Sequence, residues 1–181
     1  MHQDEIWQVF WKNGEPVVGE GWEARLGNPE VTGSEKIVGV AIVLVYRRNA
    51  DGEVELLWQR RSEKVDRFPG EYDLSAGGHI NLGETVAEAA KRETFEEIGA
   101  EISADELSLV TIRSFNRNRI AWIFAADYTG RAEDFRFSDE EVSEVKWVPL
   151  AEVDEFREKF AKAPLKKDAL TLELFREWVN Q

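Results

Sequence analysis

The chain has 181 residues, of which 43% are hydrophobic and 11% aromatic, and it carries 23 Lys plus Arg against 36 Asp plus Glu for a net charge of −13. Its length allows one sizeable core, its apolar content excludes a disordered acidic chain, and its charge argues against a general nucleic-acid coat. The absence of cysteine excludes disulfides, thiolate metal sites and cysteine nucleophiles.

The opening residues, MHQDEIWQVF, lack a basic stretch followed by an apolar one, and the apolar run Val38–Tyr46 is broken by Gly39 and too short to cross a bilayer. A cytoplasmic, unanchored protein is expected. Ile6–Trp11 is β-prone, Asn13-Gly14 is a hairpin signal and Pro16-Val17-Val18 begins a return, which predicts an N-terminal β-hairpin. The stretch from Gly21 to Lys36 is rich in Gly, Pro and Glu and reads as a loop. Residues 1–36 are thus expected to pack, as hairpin and loop, on a domain spanning residues 37–181.

Ile37–Arg47 is a continuous apolar, β-branched run suited to a strand buried on both faces, and Val54–Arg60 pairs with it across the turn Asn49-Ala50-Asp51-Gly52. After Pro69-Gly70 come the segment Tyr72–Ser75 and a glycine pair, then a helix over Glu84–Ile98 that stops at Gly99. Leu107–Phe115 and Ile120–Tyr128 read as strands around a turn at Asn116-Arg117-Asn118, and Val142–Val148 as another strand. Two helices finish the chain. One covers Asp154–Lys162 ahead of the breaker Pro164, and the other, Ala169–Val179, places Leu170, Leu174, Phe175 and Trp178 on one stripe. With no repeat and no linker, this order predicts a single α/β domain layered α/β/α. The hairpin and the final stripe each offer a surface for a homodimer or for the chain's own sheet, with the hairpin the preferred dimer surface.

At 100° per residue, Glu93, Glu96 and Glu97 fall within one arc of about 100° at the C-terminal end of the central helix. Like charges at these spacings repel, each pair costing roughly 0.2–0.5 kcal/mol, and anions there also oppose the helix dipole. A divalent cation such as Mg²⁺ or Mn²⁺, which takes carboxylate oxygens, would favour the placement. A solvated helix face is the alternative reading of such a run in an acidic chain.

The neighbourhood of the run sharpens the choice. Gly78 is followed after five residues by Glu84, after seven more by Arg92-Glu93, and then by Glu96-Glu97 and Gly99, in the stretch GHINLGETVAEAAKRETFEEIGA. This resembles the Nudix box, GX5EX7REUXEEXGU with U a bulky aliphatic residue, and every fixed position matches. Thr94 and Ala100 depart from the pattern at two U positions, where weaker burial is expected. The order of strands on either side, and Val145-Lys146-Trp147-Val148-Pro149-Leu150 before an acidic helix, extend the resemblance over most of residues 37–160.

The resemblance implies a Nudix-like α/β/α sandwich with a mixed sheet beside the box helix. It implies a hydrolase in which metal-bound water, deprotonated by a glutamate, splits the pyrophosphate bond of a nucleoside diphosphate-X type compound with Mg²⁺ or Mn²⁺ as cofactor. Residue by residue, Glu96 and Glu97 match the metal-ligand pair, and Glu93 matches a ligand or general base. The Gly77 carbonyl matches a group that completes the metal site. Arg92 and Glu84 match an ion pair that positions the loop of Gly78 against the helix. A further carboxylate comes from the loop Asp139-Glu140-Glu141 or from Glu144, with Glu141 the chosen candidate.

Among the arginines that could hold phosphate (Arg60, Arg61, Arg67, Arg113, Arg117 and Arg119), Arg60 and Arg61 stand beside a Q-R-S-like stretch and are preferred. His79 either touches metal or phosphate or braces its loop. Trp58, Tyr72, Phe115 and Trp122 read as core rather than as base-stacking platforms. The segment LLWQRRSEKVDRFPGEYDLSAGGHINLGE looks like the isopentenyl diphosphate isomerase-like branch of the family. That branch relies on a cysteine, near Ser75-Ala76 here, and on several histidines, whereas this chain has no cysteine and two histidines. Hydrolysis is therefore preferred to isomerisation, and a non-catalytic diphosphate-binding module of the same fold is the third reading. The expected partner is a small diphosphate, with neither nucleic acid nor membrane.

Overall fold

The computed structural model describes residues 6–11, 14–16, 36–114, 119–130, 134–137 and 140–181. Eight strands, β1 (Val9–Trp11), β2 (Lys36–Arg48), β3 (Val54–Arg61), β4 (Tyr72–Leu74), β5 (Ala76–His79), β6 (Leu107–Ser114), β7 (Arg119–Asp127) and β8 (Val142–Pro149), form one mixed sheet among the described residues. Four helices accompany it: α1 (Val86–Ile98), α2 (Val153–Phe160), α3 (Ala163–Lys166) and α4 (Leu170–Val179), with a 3₁₀ turn at Ala104–Glu106. None of them is long and apolar enough to cross a membrane.

The long apolar run of β2 makes it the hub. It lies parallel to β7 over Val38–Tyr46 and antiparallel to β1, β3 and β5. Because side chains alternate along a strand, Ala41, Val43 and Val45 pack toward α1, with Ala89, Ala90 and Ile98. Val40 and Leu44 pack the other way, with Phe156, Leu165 and Phe175 of the C-terminal helices. Two cores on opposite faces of one sheet are the predicted α/β/α layering.

The β2–β3 hairpin turn is built as its residues suggest. The Asn49 side-chain oxygen accepts the N–H groups of Asp51 and Glu53, and Gly52 takes the left-handed conformation at φ 83°. Beyond Tyr46–Leu56, β3 leaves β2 and runs with β4 and β8, while β5 takes its place beside β2. Ser75, between β4 and β5, is the stitch at this fork: its fully buried Oγ donates to Leu57 O at 2.6 Å and accepts Val45 N–H at 2.9 Å. The fork opens the cleft in which the site is built.

The central helix starts at Val86, two residues later than expected, because Thr85 and Glu88 form a capping box that makes Thr85 the N-cap. It ends at Gly99 as expected, in the left-handed conformation at φ 70°, with the N–H of Gly99 bonded to Phe95 O. Thr94 and Ala100 correct the expectation of weaker burial. Both are buried, the Thr94 hydroxyl being satisfied by Ala90 O at 2.7 Å.

At the N-terminus, Trp11 and Gly14 close a turn and Phe10 bridges to Pro16, while Val17-Val18 and the loop up to Glu35 lie outside the described residues. Trp7, Val9 and Phe10 are buried within the chain against β2 and residues 80–82, so the apolar side proposed for a dimer covers the chain's own sheet. Two further corrections concern the end of the chain. The helix ahead of Pro164 ends at Phe160, two residues before the expected end, and Pro164 stands in the first turn of the unexpected short α3, where a proline at N1 or N2 needs no N–H. The buried stripe of α4 is Thr171, Leu172 and Phe175, turned one residue from the expected one, and Leu170 faces solvent.

Candidate active site

Arg92 organises the carboxylates of α1. Its Nε and Nη2 donate to the two oxygens of Glu84 at 2.9 and 3.0 Å, a bidentate fork that fastens the loop before α1 to the helix. Nη2 also donates to His79 O at 2.9 Å, and Nη1 donates to Glu93 at 2.8 Å and Glu96 at 3.0 Å. Glu84 in turn accepts Asn81 N–H at 2.9 Å. Burial opposes the Arg92 charge, but Glu84 and Glu93 outweigh it and hold the guanidinium protonated beyond the usual range.

Glu97 faces inward and is 6% exposed. One carboxylate oxygen accepts both Gln59 Nε2 and Gly77 N–H at 2.9 Å, which ties the helix to β3 and β5 across the fork. Burial, and then the nearby Glu93, push the Glu97 carboxyl well above the usual carboxylate range. Gln59 did not figure among the expected site residues. Its signal was a polar amide in the strand VELLWQRR, at a position whose neighbours Leu57 and Trp58 are fully buried.

The glycine pair is explained by the same contacts. A Cβ on Gly78 would collide with the carboxylate of Glu93, whereas one on Gly77 would meet the Ala41 carbonyl at 2.8 Å. Gly78→Ala thus displaces a flexible side-chain end and leaves the backbone in place. We expect it to keep a melting temperature close to wild type while losing more than tenfold in turnover. A variant with unchanged turnover would remove Glu93 from the site.

Other expected residues stand elsewhere. Arg60 points to the α2 face, where it binds Gly70 O at 3.0 Å and Glu63 at 3.0 Å, and Arg61 donates to Arg67 O at 3.0 Å. Both therefore hold the loop of residues 62–71 and not the cluster on α1. Glu144 accepts the Tyr72 hydroxyl, also on the α2 face, and Glu140 pairs with Lys64 at 3.0 Å. Glu141 is tied through its carbonyl to Ser62 N–H at 2.7 Å, while Asp139 and Arg117 lie outside the described residues. Arg113 pairs with Asp168 at 2.7 Å. Trp58 and Trp122 are buried in the cores, and Tyr72 packs edge-on against Phe156. His79 stacks face to face on Trp7 with centroids 3.5 Å apart, which is the bracing arrangement.

A helix whose Glu93 and Glu96 meet one arginine while Glu97 turns inward to Gln59 and Gly77, behind a loop fastened by Glu84, is the arrangement that the box motif implies. The model of the NUDIX domain matches residues 37–169. The chain belongs to the Nudix family. It is 33% identical over 132 residues to the uncharacterized Nudix hydrolase YfcD of Salmonella typhi, a match covering 72% of this chain and 69% of that protein. Across the first curated relatives the matched share of the other protein ranges from 15% to 69%. Among solved structures, DR0079 of Deinococcus radiodurans aligns over 95% of this chain and 98% of its own, with a TM-score of 0.66 at 23% identity. The NUDIX domain of Shewanella oneidensis NrtR, solved with ADP ribose, aligns over 84% and 93% with a TM-score of 0.61 at 19% identity. These likenesses establish the Nudix fold.

The family implies a divalent cation, and the donors present fit one chemically. Glu84, Glu93 and Glu96 bring three carboxylates to the single guanidinium of Arg92, and Glu97, raised first by burial and then by the charge of Glu93, adds a fourth carboxylate beside them. Hard carboxylate oxygens of this kind suit Mg²⁺ or Mn²⁺. Among the described residues no three acidic or histidine side chains stand in a closed coordination set, since Arg92 holds both Glu93 and Glu96.

Proposed function

We propose that this Nudix protein is a metal-dependent hydrolase that splits the pyrophosphate bond of a nucleoside diphosphate-X type compound with water. The observation that carries this reading is the excess of carboxylates over cations around Arg92, with Glu97 buried among them. Glu93, Glu96 and Glu97, with the Gly77 carbonyl, would hold Mg²⁺ or Mn²⁺, which when bound supplies neutralising charge for the diphosphate and a water of lowered pKa.

The chain's own residues do the rest. A glutamate of the cluster, with Glu93 the leading candidate, takes a proton from the attacking water as its oxygen bonds to one phosphorus. The bridging P–O bond breaks and its electron pair leaves on the departing phosphate. Arg92 keeps Glu84, Glu93 and Glu96 in place while this happens, and Gln59 with the Gly77 N–H fixes Glu97.

Two observations support this reading over its rivals. All three helix glutamates are present, and a pure binding module has no need of them. Ser75, beside the place of the isomerase cysteine, is fully buried with its hydroxyl engaged by Leu57 O and Val45 N, out of reach of any substrate.

The test is phosphate release with Mg²⁺ over nucleoside diphosphate derivatives, nucleoside triphosphates, dinucleotides, inositol pyrophosphates and prenyl diphosphates. Glu96→Gln is the control, because the Glu96 side chain is 40% exposed and its ion pair with Arg92 lies on the helix surface, so the fold should survive its loss. Cleavage by wild type that drops at least about tenfold in Glu96→Gln is expected. Silence across the panel from a folded, Mg²⁺-binding protein would shift the reading to the binding module.

A further inference from the structure

The fork between β3 and β2 holds a cavity of about 130 Å³ that the chemistry above does not use. It is bounded by Gln59 and the Gly77-Gly78 backbone, the groups that also touch Glu97 and Glu93, and it extends from there to Arg119, His79 and Lys162. Three features of its wall are unresolved within the fold. Arg119, the first residue of β7, is half-buried and its guanidinium has no hydrogen bond or counter-ion among the described residues, whereas Lys162 is paired with Asp73. His79 Nε2 and Gln59 Oε1 are both buried with no hydrogen-bond partner.

Each is costly to leave that way. A guanidinium partly withdrawn from water without an anion, and a buried ring nitrogen without a partner, lose hydration that nothing in the fold replaces. Burial, and then the charge of Arg67, lower the Arg119 pKa, which marks the same uncompensated positive charge. An imidazole carries at least one N–H in either protonation state, so the ring of His79 on this wall is able to donate one. The remaining wall is apolar, with Ile42 and Leu165. A volume of about 130 Å³ is small beside the roughly 300–1,000 Å³ of ordinary ligand pockets, which suits a single phosphate-sized group and not a nucleobase.

We propose that this cavity is an oxyanion subsite, with Arg119 as its binding side chain and His79 as its hydrogen-bond donor. Resting on the hydrolase reading, it makes Arg119 a specificity determinant for diphosphates that carry a second, compact anionic group close to the one being cleaved. Phosphate and carboxylate share the required chemistry. The Gln59 oxygen, which only accepts, adds a place for a hydroxyl or a protonated oxygen beside that group.

The test needs neither metal nor turnover. Inorganic phosphate and, separately, acetate are titrated into the metal-free wild-type protein in the presence of a chelator, and the imidazole NMR signals are followed. The chain has two histidines, so His2 serves as the internal control. A saturable shift of the His79 signal that His2 does not share is expected, and the tighter of the two anions names the group. Arg119→Gln should weaken that binding at least tenfold, and Arg119→Lys, which keeps the charge without the fork, should fall between. An unmoved His79 signal, or wild-type affinity in Arg119→Gln, overturns the proposal. If the anion binds but no diphosphate is cleaved with Mg²⁺, the hydrolase reading fails and the subsite stands.

Discussion

Glu97→Gln should lower kcat/KM by at least about a hundredfold and, in the metal-free protein at neutral pH, raise the melting temperature. The loss follows from removing a buried charge that helps hold a divalent cation, an effect that falls on metal affinity and turnover together. The gain follows from the same burial. Glu97 is withdrawn from water beside Glu93, and its carboxyl is pushed well above the usual range, so its ionised form destabilises the fold at pH 7. Glutamine matches the neutral acid in shape, and its carbonyl oxygen can accept from Gln59 Nε2 and Gly77 N–H as the carboxylate does. A gain of about 1 kcal/mol would appear as roughly 2–4 °C in Tm for a chain of this size. The sign can be checked against pH. A carboxyl raised in the folded state contributes stability below its unfolded pKa and loses it as pH rises through the folded value, so the advantage of the variant must shrink as the pH falls. Thermal melts across pH in chelator, with steady-state kinetics in Mg²⁺, read both effects. A variant that is less stable at neutral pH would show that Glu97 is held as a favourable anion, and unchanged kinetics would remove it from the site.

The residues of this site were legible in the sequence to the extent that their roles follow from spacing along one element. Glu93, Glu96 and Glu97 sit on one helix, so 3.6 residues per turn is enough to group them and to bring Glu93 and Glu96 to Arg92, and Gly78 and Glu84 are close enough in sequence to be read with them. Gln59 reaches Glu97 from 38 residues away, through a sheet register that no local pattern states. Arg60 and Arg61 show the converse. A motif-like neighbourhood recommended them, but alternation along β3 and the curl of residues 62–71 give their guanidinium groups to Gly70, Glu63 and Arg67.

The layering was legible for a related reason. A β-branched run with no polar face has to be covered on both sides, and Val38–Val45 is such a run. Positions set by tertiary contact were misplaced by a residue or two. The start of α1 was decided by the Thr85–Glu88 capping box, and the buried face of α4 by Thr171, whose hydroxyl is engaged by Arg113 and Asp168. The fork at Ser75 was not legible at all. It depends on which strand β4 and β5 each keep as partner, and that choice creates both the cleft beside Glu97 and the cavity of Arg119.

Arg92→Ala is the substitution with the largest expected effect on stability. One guanidinium there satisfies oxygens of Glu84, Glu93 and Glu96 and the carbonyl of His79, with its side chain 22% exposed. Removing it leaves the glutamates to repel one another and frees the loop before α1, which Glu84 otherwise anchors through Asn81. Loss of one member of a buried ion-pair network typically costs about 3–5 kcal/mol, and partial exposure reduces the expected loss here to roughly 2–4 kcal/mol. Lysine should not restore it, because a single ammonium cannot reproduce the fork on Glu84. Activity should fall as a consequence, and added Mg²⁺ should recover part of the stability by taking over the neutralisation of Glu93 and Glu96. Urea denaturation of wild type, Arg92→Ala and Arg92→Lys, each with and without Mg²⁺, separates these contributions. An alanine variant that unfolds at the wild-type urea concentration yet has lost its turnover would contradict a positioning role and place Arg92 among the groups that act on the substrate itself.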